Sequence, residues 1–248
     1  MNDLILDKRY RLGDRGRTVR VIQEWLCLHG FLVTIDGEFG PATRRAVRLF
    51  QQAEGLSADG EVENSTYARL LRPLVNAMRD ISVVPGMTNF SMLLIAYAQQ
   101  HLSQRPREVG GQNQGPWVRF YMDGNEGNAW PWCAGFAMTI LKQTCRSLGI
   151  VPPFEPSFSC DKLAGRADRA GLLVSELEAQ AGGLPAGSLF LVRKSGADWV
   201  HVGIVTQVVE GAFDTIEGNT NDEGIREGYE VCARTRGFKD KDFIVWRP

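Results

Sequence analysis

Three short segments hold side chains that could do chemistry together: Pro131-Trp132-Cys133-Ala134-Gly135-Phe136, Val200-His201-Val202-Gly203-Ile204-Val205 and Ile216-Glu217-Gly218-Asn219. In that order they supply a thiol, an imidazole and two polar groups able to orient the imidazole. Nucleophilic hydrolysis by cysteine needs these parts, because a thiolate attacks and a positioned base makes it available at neutral pH. The chain has three histidines, and His201 is the one embedded in strand-like sequence. His29 and His101 each end a helical pattern, where a cation is favoured for structural reasons alone.

Each segment also fixes how its side chain is presented. Pro131 suits the first turn of a helix whose buried stripe is Phe136, Ala137, Ile140 and Leu141. Cys133 then sits in that first turn, where unbonded backbone N–H groups and the helix dipole favour negative charge. A thiol pKa of about 8.5 falls there by one to several units, and further beside an imidazolium. The same amides can hold the oxyanion of a tetrahedral intermediate. Strand alternation groups His201 with Gly203 and Val205, and Gly203 leaves room beside the ring. Glu217 and Asn219 lie two apart, so in a strand both point to one face, and either can accept the imidazole N–H. Taken singly, each has a plainer reading: a buried core cysteine, a structural strand histidine, an ordinary Gly218-Asn219 turn. Trp132 and Trp199 are the aromatic side chains nominated for substrate contact.

The elements around these segments fall into two parts. Residues 1–74 carry a half-repeat, Asp36-Gly37-Glu38-Phe39-Gly40-Pro41-Ala42-Thr43 recurring as Asp59-Gly60-Glu61-Val62-Glu63-Asn64-Ser65-Thr66. Periodicity predicts helices over about 18–29, 41–53 and 65–71, the first two stopped by Gly30 and Gly55, the third capped by Asn64 or Ser65. Residues 75–88 read as a linker broken at Pro85-Gly86. Residues 89–248 follow, with an Asn89-capped helix to about His101, a short helix from Pro116, and the helix of Cys133. Strands are predicted at 189–192, 199–208, 212–217 and 243–246. Helices first and strands after, with short connections, make an α+β fold on an antiparallel sheet.

Composition narrows the function. The chain of 248 residues is 44% hydrophobic and 23% charged with net charge −1, so no field favours nucleic acid or an anionic membrane. No run of about 18 apolar residues offers a membrane span. The start, Met1 to Arg9, does not read as a secretory signal, which predicts synthesis in the cytoplasm and action on the target after release or export. Five cysteines (27, 133, 145, 160, 232) show no CxxC or Cys/His metal spacing. Cys27, Cys145, Cys160 and Cys232 read as small buried hydrophobes. Asp123, Asn125, Glu126 and Asn128 could supply oxygen ligands to calcium. That pattern is incomplete, so a solvated loop is the better reading and no metal or other cofactor is expected.

Two resemblances sharpen these expectations. Leu12-Gly13-Asp14-Arg15-Gly16, Val19, Gln23, Leu26, Asp36-Gly37-x-Phe39-Gly40-Pro41-x-Thr43, Val47, Phe50-Gln51, Gly55-Leu56 and Asp59-Gly60 resemble the peptidoglycan-binding domain 1 family. This implies a three-helix wall-binding module without chemistry of its own. Asn113-x-Gly115-Pro116, Trp132-Cys133-Ala134-x-Phe136, Leu184-Pro185-Ala186-Gly187-Ser188-Leu189, His201-Val202-Gly203-Ile204-Val205 and Glu217-Gly218-Asn219 resemble the CHAP family, related to the NlpC/P60 group. That resemblance implies a papain-like fold, Cys133 as nucleophile, His201 as base, and Glu217 and Asn219 as the orienting pair. Ser188 replaces the Asp usual after Pro-x-Gly. Together they imply a monomeric, endolysin-like peptidoglycan hydrolase, either an N-acetylmuramoyl-L-alanine amidase or an endopeptidase. The alternatives are a secreted antibacterial effector, an inactive wall-binding protein, and a protease acting on proteins.

Overall fold

The computed structural model describes residues 2–86, 89–221 and 228–246. Its helices are α1 (Arg17–Leu28), α2 (Pro41–Ala53), α3 (Asn64–Leu70), α4 (Arg72–Met78), α5 (Phe90–Ser103), α6 (Pro116–Tyr121), α7 (Cys133–Leu148), α8 (Cys160–Arg169) and α9 (Glu176–Gly182). Its strands are β1 (Leu173–Val174), β2 (Leu189–Ser195), β3 (Asp198–Val209), β4 (Ala212–Thr220), β5 (Glu230–Gly237) and β6 (Lys241–Ile244). Two compact units form, Met1–Asn76 with Arg107–Asn128, and Ala77–Pro106 with Ala129–Pro248.

In the first unit the expected helices form for the expected reasons. α1 buries Val19, Ile22, Trp25 and Leu26; α2 opens on Pro41 and buries Ala46, Val47 and Phe50. Gly30 and Gly55, with φ of 88° and 68°, follow them in the left-handed region that glycine tolerates. α3 differs at its start, where Glu63 is the N-cap and no side chain caps the helix.

The half-repeat builds two equivalent polar knots. Gln23 Nε2 donates to Asp36 Oδ1 (2.8 Å), Glu38 O and Thr43 Oγ1, while its Oε1 accepts from Gly37 N (2.8 Å). Gln51 repeats this with Asp59 Oδ1 (2.9 Å), Glu61 O, Thr66 Oγ1 and Gly60 N (2.9 Å). Both glutamines are buried, and a buried amide is tolerated when all its groups are paired.

The division of the chain differs from the sequence expectation of 1–74, 75–88 and 89–248. α4 runs into the expected linker, and 107–128 packs with the N-terminal helices. The cause is Arg119 on α6, buried and ion-paired to Asp3 (2.7 Å), Glu24 (2.5 Å) and Glu126 (2.7 Å). Trp117 adds an edge contact to Trp25, ring centroids 5.9 Å apart.

The second unit is a six-stranded antiparallel sheet, order β1-β6-β2-β3-β4-β5, with helices packed on it. Four strands lie where period-two patterning put them. β1, β5, α8 and α9 are additions. Phe190, Val205, Phe213, Phe238 and Phe243 pack with Ala179 of α9 into one core cluster. α7 buries Phe136, Ala137, Ile140 and Leu141 as its stripe predicts, against α5, β3 and β4. Asn89 caps α5 as expected, its Oδ1 accepting from Met92 N at 2.8 Å. Among the described residues no helix is long and apolar enough to cross a membrane.

Candidate active site

Cys133 is the first residue of α7, after the N-cap Trp132. Phe136 N closes the first turn on Trp132 O at 2.9 Å, so the amides before it have no acceptor within the helix. The tip of α7 comes in against β4 because residue 218 is glycine. A Cβ there would stand 2.6 Å from Phe136 Cβ and 2.9 Å from Trp132 Cζ3, distances no side chain could hold. Gly203 serves the same purpose one strand away. A Cβ on it would meet Phe190 Cε1 at 2.6 Å and Glu217 Cγ at 2.7 Å, so its absence lets the Glu217 side chain lie across β3 toward His201.

His201 Nε2 lies 2.9 Å from Glu217 Oε2. Glu217 is fully buried and held from three further directions: Arg236 Nε and Nη2 each donate to it at 2.6 Å, and Thr215 Oγ1 donates at 2.6 Å. Burial alone would push its carboxyl up, but the bonds from Arg236 and His201 outweigh burial and hold it down at about 2. A carboxylate can only accept, so Nε2 carries the proton and Nδ1 faces away from the acid. Nδ1 is buried, and among the described residues no oxygen or nitrogen partner satisfies it; the Cys133 thiol is the ring's other hydrogen-bonding neighbour.

The thiol and the ring act on each other. Burial pulls His201 down, yet Cys133 and Glu217 raise it to about 9. The Cys133 thiol is held well below its ordinary value, first by the Cys160 thiol 4.0 Å away and then, against burial, by His201 and the Val202 amide. The favoured charge state is therefore thiolate beside imidazolium, with Glu217 and Arg236 continuing the alternation of sign. Cys133 and His201 are 4% and 3% exposed, so these charges interact with little screening by water.

The structure thus brings Cys133, His201 and Glu217 together. Asn219 is not aligned with Glu217 by strand alternation. The β4–β5 register shifts between Glu217 and Thr220, and Asn219 takes φ of 55°, so the strand alternation that would align it with Glu217 is broken. Its buried Oδ1 has no hydrogen-bond partner among the described residues. Trp132 is fully buried behind the tip of α7, which removes it from direct contact with a substrate. Trp199 is half-buried, its Nε1 donating to Asp242 at 2.8 Å. Asp123, Asn125 and Asn128 belong to the first unit; Asn125 Nδ2 bonds Met122 O, and Glu126 is taken by Arg119 and Gly115 N. Among the described residues no three His, Cys, Asp or Glu side chains cluster for a metal.

Sequence reasoning missed Arg236, Thr215 and Cys160. Thr215 was available from the same period-two argument as Glu217. Arg236 sits on a strand whose alternating polar residues give no sign of burial. Ser188, in place of the expected Asp, donates to Pro185 O at 2.8 Å and closes the turn before β2.

Residues 15–70 match the family model described as "Putative peptidoglycan binding domain". The chain is similar to the zinc D-Ala-D-Ala carboxypeptidase of Streptomyces albus G, 41% identical over 61 residues, 23% of this chain and 24% of that protein. It therefore spans about a quarter of that curated relative. Among solved structures it is similar to the SleB N-terminal domain, at 32% identity over 27% of this chain and 94% of that one, TM-score 0.27. It is also similar to the Burkholderia AP3 phage endolysin, at 34% identity over 39% of this chain and 33% of that one, TM-score 0.25. Residues 15–70 are thus similar in sequence to peptidoglycan-binding domains, which supports a cell-wall-related role.

Proposed function

We propose that this chain is a peptidoglycan hydrolase of the CHAP type, papain-like in its second unit, with Cys133 as nucleophile. The observation that carries this reading is the line of groups Cys133, His201, Glu217 and Arg236, charged alternately, the first three of them buried beside a helix tip. The thiolate attacks the carbonyl carbon of a wall amide, and the first-turn amides of α7 stabilise the oxyanion. His201 gives its proton to the leaving amine as the C–N bond breaks, producing a thioacyl enzyme. His201 then takes a proton from water, which attacks the thioester carbonyl; the C–S bond breaks, the carboxylic acid leaves, and the thiolate beside imidazolium is restored. Glu217 holds the ring and balances its charge throughout. The N-terminal unit keeps the enzyme on an insoluble polymer, which raises its effective concentration there. An endolysin-like enzyme and a secreted wall-degrading effector share this chemistry, and both reach the wall by release or export.

Clearing of purified sacculi tests the proposal. Wild-type protein should clear them and Cys133→Ala should not; clearing that survives the substitution refutes the thiol mechanism. Mass spectrometry of the released fragments then separates an amidase, which frees the muramic acid lactyl group from L-alanine, from an endopeptidase, which leaves new peptide ends.

A further inference from the structure

Cys160 opens α8 as Cys133 opens α7, each at the first helical position, and the two sulfurs stand 4.0 Å apart. The two helix tips are placed by separate devices. Gly218 admits α7 against β4, and Asp161, next to Cys160, accepts the Trp199 backbone N–H at 2.7 Å and ties α8 to the start of β3. The pairing is therefore built by the fold rather than by one loose side chain. The remaining thiols of this unit are poorer partners for oxidation: burial pushes Cys145 up, and burial with neighbouring carboxylates pushes Cys232 up to about 11. A thiolate with a second thiol at its side is the arrangement in which oxidation ends in a disulfide.

We propose that Cys133 and Cys160 close into a reversible disulfide, making Cys160 an oxidative modification site that masks the nucleophile. The masking rests on the reading of Cys133 as nucleophile; the bond itself rests on the sulfur geometry. The oxidant is of the hydroperoxide class. Cys133 sulfur attacks the peroxide, an S–O bond forms as the O–O bond breaks, and hydroxide leaves; the sulfur is oxidised to a sulfenic acid and the peroxide reduced. Cys160 sulfur then attacks the sulfenic sulfur, the S–S bond forms, the S–O bond breaks, and hydroxide departs as water with the Cys160 proton. A dithiol reductant reverses the step by exchange. The sulfurs must close by about 2 Å to reach a bond of about 2.05 Å, a shift within reach of a χ1 rotation. The disulfide also diverts the sulfenic acid from irreversible oxidation to sulfinic acid.

The full chain should be treated with about tenfold excess hydrogen peroxide, alkylated, and digested without reduction, with sacculus clearing measured before and after dithiothreitol. The expected result is a linked Cys133–Cys160 peptide and at least about tenfold loss of clearing, restored by dithiothreitol. Cys160→Ser and Cys160→Ala, each compared with its own untreated sample, should yield no linked peptide and accumulate Cys133 sulfinic acid that dithiothreitol does not rescue. Wild-type protein giving sulfinic acid with no linked peptide overturns the proposal while leaving the nucleophile assignment standing. A linked peptide with undiminished clearing overturns both the masking and the assignment of Cys133.

Discussion

Replacing Glu217 by glutamine removes a negative charge where four hydrogen bonds meet, from His201, Thr215 and twice from Arg236. An amide has one acceptor oxygen, and its NH2 must then face either a guanidinium or an imidazole N–H. Two losses follow. Breaking a buried ion pair costs about 3–5 kcal/mol, and the 19% exposure of the Arg236 side chain puts this case near the lower end. The ring also loses one of the two anions that raise it to about 9. A neighbouring opposite charge moves a pKa by about 1–3, equivalent to about 1.4–4 kcal/mol of thiolate–imidazolium stabilisation. Clearing of sacculi should therefore fall by about 10- to 10³-fold. The pH profile gives the sign. On the proposed mechanism, wild-type activity needs Cys133 ionised, which is favoured well below the ordinary thiol range, and His201 protonated, which is lost as pH rises through about 9. In Glu217→Gln the basic limb should move down to about 6–8. Initial rates across this range, with Tm measured alongside, make the check. A folded variant with an unmoved basic limb and unchanged rate would refute the argument that the Glu217 charge sustains the imidazolium.

Gly203→Ala puts a methyl 2.7 Å from Glu217 Cγ and should cut clearing at least about tenfold while costing only about 1–3 kcal/mol, because the acid must swing from the ring; equal rates at equal Tm would contradict this. Arg119→Met takes away the buried cation shared by Asp3, Glu24 and Glu126, leaving the fully buried Glu24 only its pair with the part-exposed Arg20, and should destabilise the first unit by about 3 kcal/mol, read as lower Tm and weaker sacculus binding; an unchanged Tm would remove Arg119 as the reason 107–128 packs there. Thermal stability should show both limbs of the His201–Glu217 pair. The raised His201 contributes fully below its unfolded value of 6.5 and is lost through about 9, while the lowered Glu217 contributes above 4.5 and is lost as pH falls toward about 2. A Tm that does not decline toward both ends in wild type, or that declines equally in Glu217→Gln, would count against the pair.

Local signals were legible in the sequence, and contacts across long separations were not. The stripes of α1, α2 and α7 and the period-two runs of β2, β3 and β4 are written within a few residues, so they could be placed without coordinates. Glycines 203 and 218 stand out in the segments, though only packing explains why a Cβ cannot sit there. Arg119 could not be assigned to the N-terminal unit, because Asp3 and Glu24 lie 116 and 95 residues away. Arg236 meets Glu217 from the neighbouring β5, a strand whose charged residues look solvent-facing when read alone. Asn219 was drawn to Glu217 by ideal alternation, which a register shift cancels. Cys160 reads as a small apolar residue until α8 is folded beside α7.

The account stands on a thiolate that His201 sustains at Cys133. Its most direct test is the rate of iodoacetamide alkylation against pH, followed by peptide mass spectrometry in wild type and His201→Ala. Cys133 should label ahead of Cys27, Cys145, Cys160 and Cys232 at about pH 6, with a midpoint well under the free-thiol value of about 8.5 that climbs back toward it without the imidazole. A midpoint of about 8.5 in both proteins would contradict the claim.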